Sequence, residues 1–169
     1  MSKPIWLLDV DGVLNADSKK PPSHMPYNWL VFDQKDSNGK TFPMLIAQEV
    51  VDFIDEMSDI VDIVWCSTWQ ADANLIGKRI GLKGFTWIDR NRPMLKKSHL
   101  HWKRATFEAL QKTGGKIIWT DDDIRRFYFY PLKISFDNSL IVTPYLYEGL
   151  APKHLDLIRS FVENGQTKK

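Results

Sequence analysis

Asp9 and Asp11 stand two residues apart where an apolar run, Ile5-Trp6-Leu7-Leu8, gives way to Gly12. Alternate residues of an extended segment share a face while the residue between them points away. Both carboxylates therefore address one pocket, with Val10 turned toward the core. Carboxylates that close repel each other unless a cation or a shared proton offsets the repulsion. Magnesium suits such a pair, since it prefers carboxylate, water and phosphate oxygens. Two plainer readings compete. One is a solvated Asp-x-Asp-Gly turn, because Asp and Gly are ordinary turn formers. The other is a calcium loop, for which no Glu follows at the closing spacing.

Two further apolar runs end in polar groups. The run over 61–66 ends in Ser67-Thr68, and Ile117-Ile118-Trp119 ends in Thr120-Asp121-Asp122-Asp123, with Lys103 between them in the chain. Attack on phosphorus shifts negative charge among three non-bridging oxygens, so a phosphoryl-transfer site needs a metal, a cation and hydrogen-bond donors. Carboxylates, a lysine and hydroxyls supply all three. Taken singly each is weak: a Ser-Thr pair at a strand end is usually a helix cap, and a lysine on a helix is usually solvated. Their order along the chain carries the signal.

The elements that must position these groups are a parallel sheet and its crossover helices, because short apolar runs alternate with helical periodicity. In such open sheets ligands bind outside the carboxyl ends of the strands. The first strand covers 5–9, followed by a loop with Pro21, Pro22 and Pro26. A hairpin pairs 29–32 with 41–46 around Ser37-Asn38-Gly39, where Asn-Gly favours a turn. A helix carries Val50, Phe53, Ile54 and Met57 on one face, and strands follow over 61–66, 117–119 and 139–142. A helix is expected over 98–112. The last helix starts near Pro152, buries Leu155, Ile158 and Val162, and lacks a side-chain cap. The fold class is α/β, a three-layer Rossmann-like domain spanning 1–169, with a hairpin flap over 16–44 and a flexible tail over 164–169.

Composition sets outer bounds. The chain has 169 residues, 43% hydrophobic and 26% charged, which suits one globular core. A net charge of +2 excludes a polybasic arm, although Lys96, Lys97, Lys103 and Arg104 cluster locally. The single cysteine, Cys66, excludes an internal disulfide. Neither a signal-peptide stretch nor a membrane span of about 20 apolar residues is present. A cytoplasmic protein without membrane contact, monomeric or weakly dimeric, is expected.

In order, Asp9-x-Asp11-Gly12, Ser67, Lys103 and Asp121-Asp122 resemble the four motifs of the haloacid dehalogenase superfamily. The chain looks closest to a bacterial and phage branch, the phosphatase-type domain of "Swiss army knife" RNA repair proteins. That likeness rests on Trp65-Cys66-Ser67-Thr68-Trp69 with Asn74, on His101-Trp102-Lys103, on Trp119-Thr120-Asp121-Asp122, and on Gly149-Leu150 leading into His154-Leu155.

The resemblance implies a magnesium-dependent phosphomonoesterase that passes through an aspartyl phosphate. Asp9 would be the nucleophile and Asp11 the general acid and base. Ser67, with Thr68 as its neighbouring substitute, would hold a phosphate oxygen, and Lys103 would neutralise charge. Asp121 and Asp122 would bind magnesium together with Asp9 and the Asp11 backbone carbonyl. Lys96 and Lys97 compete with Lys103, lying nearer the expected helix start; the Trp102 context favours Lys103. A dehalogenase proper would not need Asp11, and a signalling receiver domain places its acid pair differently. A non-catalytic phosphate-binding module remains the alternative of another class.

Substrate choice follows from the cap. The flap after the first motif is small and 74–100 has room for a short insert only, so the site is expected to be open. An open site suits phosphate on a bulky molecule such as a DNA or RNA end. Tyr27, Trp29, Trp69 and Trp87 beside Arg90, Arg92, Lys96 and Lys97 would offer stacking and charge. The alternative substrates are nucleotides and other small phosphometabolites.

Overall fold

The computed structural model describes residues 2–96, 101–124 and 138–164. Along the chain the elements are β1 (Ile5–Leu8), β2 (Trp29–Lys35), β3 (Thr41–Ala47), α1 (Gln48–Met57), β4 (Asp62–Trp65), α2 (Ala73–Arg79), β5 (Thr86–Trp87), α3 (Pro93–Lys96), α4 (Trp102–Gln111), β6 (Ile117–Thr120), β7 (Ser139–Val142) and α5 (Pro152–Glu163). A turn of 3₁₀ helix (Gln70–Asp72) precedes α2.

Five strands form one sheet in the order β5-β4-β1-β6-β7, every neighbouring pair parallel. From β1 the chain first builds outward through β4 and β5, then crosses back to build β6 and β7 on the other side. The strand order therefore reverses between β1 and β6. At such a reversal the connections leave in opposite directions and open a crevice at the carboxyl ends of the two strands.

Alternation within the short strands feeds two cores. Trp6, Leu8, Ile63, Trp65, Ile118 and Val142 pack with Val50, Ile54 and Met57 of α1 and with Ile158 and Val162 of α5. On the other face Leu7, Cys66, Ile117 and Trp119 pack with Phe107 of α4. Helices thus cover both faces. Trp6, Trp65 and Trp119 are fully buried, each burial of a large apolar side chain being worth roughly 1.5–3 kcal/mol.

Strands β2 and β3 form a separate antiparallel ribbon, longer than the expected pairing of 29–32 with 41–46. The turn chemistry explains the extension. Asp36 Oδ1 accepts from Asn38 N at 2.9 Å and Lys40 N at 2.8 Å, and Gly39 takes the positive φ of 82° that this tight turn requires. A lone two-stranded ribbon is marginal in water. Here it is tied to the body: Asp72 Oδ2 accepts from Ser37 N and Oγ, and Arg79 donates to the Asp33 carbonyl while lying over the Phe32 ring.

Two expectations need correction. The stretch over 74–100 is not a spare insert, since it supplies α2, the sheet's edge strand β5 and α3. Helix α4 begins at Trp102 rather than at 98, with the His101 ring accepting from Lys103 N at its start. As expected, Ala151 at the start of α5 makes no side-chain cap; instead His154 Nδ1 accepts from Ala151 N at 3.0 Å. Of the tail expected over 164–169, Asn164 ends α5 and 165–169 lie outside the described residues. Among the described residues no helix is long and apolar enough to cross a membrane.

Candidate active site

The first strand stops at Leu8, and the next turn is wound tightly around the Val10 carbonyl, which accepts from Val13, Leu14 and Asn15 N. Gly12 is required here on two counts. Its φ is +72°, and a Cβ would lie 2.4 Å from Asp122 Cγ. The glycine thereby lets the loop after β1 touch the loop after β6. Asp9 is held by its own backbone, with Val10 N donating to Oδ1 at 2.7 Å.

Lys103 joins the two strand ends. Its Nζ donates to Asp9 Oδ2 and, at 2.6 Å, to Asp121 Oδ2, and all three side chains are buried. With α4 starting at Trp102, Lys103 occupies the second helical position and not a site one or two turns in. Lys96 lies exposed at the end of α3, and Lys97 lies outside the described residues.

Burial dominates the electrostatics of Asp9 and pushes its carboxyl up to about 7, with Lys103 opposing and Asp121 adding to the rise. The Ser67 hydroxyl, 1% exposed, lies beside Asp9 and favours its ionised form. Burial works against the charge of Lys103, yet the Asp9 and Asp121 carboxylates outweigh it and hold the ammonium above its ordinary range. Burial and then Asp121 push Asp122 up to about 6.

Asp9, Asp121 and Asp122 each bring a carboxylate oxygen within 4.8 Å of the others. Burial first, and the neighbouring Asp121 carboxylate after it, make Asp9 and Asp122 hold their protons above the usual carboxylate range. An all-oxygen donor set of this charge fits a hard divalent ion such as magnesium. Asp121 is itself fixed, since its Oδ1 accepts from Asp123 N at 2.9 Å.

The Asp11 carboxylate is not in that cluster. It turns the other way, accepting from Asn15 Nδ2 at 3.0 Å and from Trp69 Nε1 at 2.8 Å. Its side chain lines a cleft of about 320 Å³ bounded by the hairpin turn (Asp36, Asn38, Phe42), by Thr68, Trp69, Gln70 and Asp72, and by Arg90. Thr68 is exposed in this cleft while Ser67 is buried beside Asp9, so the two neighbouring hydroxyls face different surroundings.

Three residues have contacts that the sequence reading did not assign to them. Asn15 bridges the Asp11 carboxylate to the flap, its Oδ1 accepting from Leu45 N at 2.8 Å. His101 caps the helix that carries Lys103. Trp69, expected as a stacking surface, instead packs edge-on against Phe42 at 4.8 Å and bonds Asp11. Only Asn15 had a visible signal, as the polar residue ending the Asp-x-Asp-Gly loop.

No protein-family description matches the chain, and no curated protein matches it. Among solved structures, a hypothetical protein from Xanthomonas campestris is similar over 99% of this chain and 90% of that one, at 14% identity and a TM-score of 0.48.

Proposed function

We propose that the protein is a phosphomonoesterase of the haloacid dehalogenase type, dependent on magnesium and working through an aspartyl phosphate. The observation that carries this reading is the bridge of Lys103 from Asp9 to Asp121 across the point where the strand order reverses. Nucleophile, cation and metal-binding acids then surround one crevice.

In the first step an Asp9 oxygen bonds to phosphorus as the bond to the leaving oxygen breaks, and Asp11 passes its proton to that oxygen. In the second, Asp11 takes a proton from the water that attacks phosphorus, and the bond from phosphorus to Asp9 breaks. Lys103 and Ser67 hold the non-bridging oxygens throughout. Magnesium held by Asp9, Asp121 and Asp122 would add positive charge to those oxygens.

Nucleic-acid ends are the preferred substrate class. Among the described residues the hairpin turn borders the cleft, Arg90 stands at it, and Trp87 is 42% exposed on the edge strand. One observation favours a second reading, nucleotides or small phosphometabolites: Asp36 and Asp72 also line the cleft, where they repel a following phosphodiester. The deciding experiment compares end-phosphorylated oligonucleotides with nucleotides, sugar phosphates and phosphopeptides, with and without magnesium. Turnover led by oligonucleotides is expected. Preference for a free nucleotide ends the nucleic-acid reading, and phosphate binding without turnover of anything ends the enzymatic one.

A further inference from the structure

Trp69 is presented to the site by an unusual backbone. Its neighbour Gln70 has φ of +53°, the single non-glycine residue with positive φ among the described residues. Such a conformation is strained for a side-chain-bearing residue and persists only where its surroundings over-determine it. Both ends of the Gln70 amide are engaged: Nε2 donates to the Ser67 carbonyl at 2.7 Å, and Oε1 accepts from Arg90 N at 3.0 Å. The turn that follows the phosphate-holding serine is thus fixed in one shape. That shape points the indole N–H of Trp69 at Asp11 Oδ2.

The opposite side of the indole is buttressed by the flap. Phe42 of β3 meets it edge-on with ring centroids 4.8 Å apart, Lys40 Nζ lies over the Phe42 ring at 4.6 Å from its centroid, and Ser37 latches the hairpin tip to Asp72. Asn15 adds the second connection, bonded to Asp11 on one side and to the β3 backbone on the other. Both oxygens of Asp11 therefore accept from N–H groups that are themselves tied to the hairpin.

Resting on the phosphatase reading above, we infer that Trp69 is a positioning residue for Asp11, and that the hairpin acts through it to aim the acid at the leaving oxygen. The flap then contributes by orienting the proton donor, a role separate from enclosing substrate. The consequence is specific to the bond being broken. A leaving group that is a weak base departs without a proton, whereas an alkoxide cannot, so in the first step only the alkyl ester needs a well-aimed Asp11.

The test uses Trp69→Phe, which keeps an aromatic ring against Phe42 and removes the N–H. The kcat/KM values of p-nitrophenyl phosphate and of an alkyl phosphate, which report the first phosphoryl transfer and not the hydrolysis of the aspartyl phosphate common to both, are compared in the full chain with magnesium. One hydrogen bond to a charged group predicts a loss of about tenfold or more on the alkyl ester, with a loss on the aryl ester smaller by a similar factor. Phe42→Leu, which leaves the indole intact but removes its buttress, gives the same selectivity in weaker form and stands in if the first variant does not fold. Equal losses on both esters, or none on either, overturn the inference while the phosphatase reading survives. A wild-type protein that hydrolyses neither ester overturns both.

Discussion

Asp9 has to satisfy demands that conflict. Burial beside Asp121 makes it hold its proton to about pH 7, yet the nucleophilic role proposed for it requires the ionised form. Lys103 pulls the other way, and its position between two carboxylates lets it serve both. Asp9→Asn keeps an oxygen that accepts from Lys103 and removes the nucleophile. Turnover of every substrate should fall by about a thousandfold or more, with the far-UV circular dichroism spectrum unchanged; retained turnover would remove Asp9 from that role. Lys103→Met has a different signature. Deleting one partner of a buried ion pair costs about 3–5 kcal/mol, because Asp9 and Asp121 are left facing each other without a cation. The cost should be smaller at pH 5, where Asp9 is protonated, than at pH 8, as read by urea unfolding at the two values. A loss independent of pH would mean that Lys103 supports packing and not charge.

The loop after β7 acts on the site through its backbone. Leu150 N donates to the Val13 carbonyl at 2.9 Å, and Asp17 N donates to the Leu146 carbonyl at 3.0 Å, so this loop clamps the turn that carries Asp9 and Asp11. Gly149 makes the clamp possible: its φ is +67°, and a Cβ would stand 2.6 Å from the Val13 oxygen. The obstacle is main chain, which cannot swing aside. Gly149→Ala should cost roughly 2 kcal/mol or more, the left-handed conformation alone accounting for about 1–2 kcal/mol, seen as a lower urea midpoint at unchanged slope. An unchanged midpoint would show that the loop relaxes freely.

What was legible at this scale follows from pattern length. The β1 and β6 runs and the Asn38-Gly39 turn announced themselves, because each combines an apolar stretch or a turn pair with a clear stop. Asp9, Ser67, Lys103 and Asp121 were readable as a set through their chain order. Strand β5, two residues long, offers no period to read, and the start of α4 depends on a histidine ring acting as a cap. The Trp69 contact to Asp11 joins residues 58 apart in the chain. Nothing local to Trp69 encodes it; it exists only once the sheet and the hairpin are assembled.

For the molecule as a whole, the acidic cluster ties stability to pH and, on the proposed function, to magnesium. Asp9 rises from 3.8 to about 7 on folding, and Asp122 from 3.8 to about 6. Between about pH 4 and pH 7 the folded state therefore keeps protons that the unfolded chain has released, and stability contributed by these groups, complete below pH 4, is lost as pH climbs through the folded values. The metal-free protein should unfold at a lower temperature at pH 8 than at pH 5 through these groups. A divalent ion reverses the sign, because it binds the deprotonated carboxylates and relieves the repulsion that burial imposes. Ligand at a hundred times its dissociation constant stabilises by about 2.7 kcal/mol, and a chain of this size gains roughly 2–4 °C per kcal/mol. Magnesium should accordingly raise the unfolding midpoint by roughly 5–10 °C at pH 8. The rise should be much smaller at pH 5, where protons compete for the same oxygens, and Asp121→Asn should remove most of it at either pH. Thermal scans with magnesium and with a chelator at both pH values read this directly. A shift of equal size at the two values, or one that survives Asp121→Asn, would place the ion elsewhere on the surface and leave the excess charge of Asp9, Asp121 and Asp122 to be balanced by protons alone.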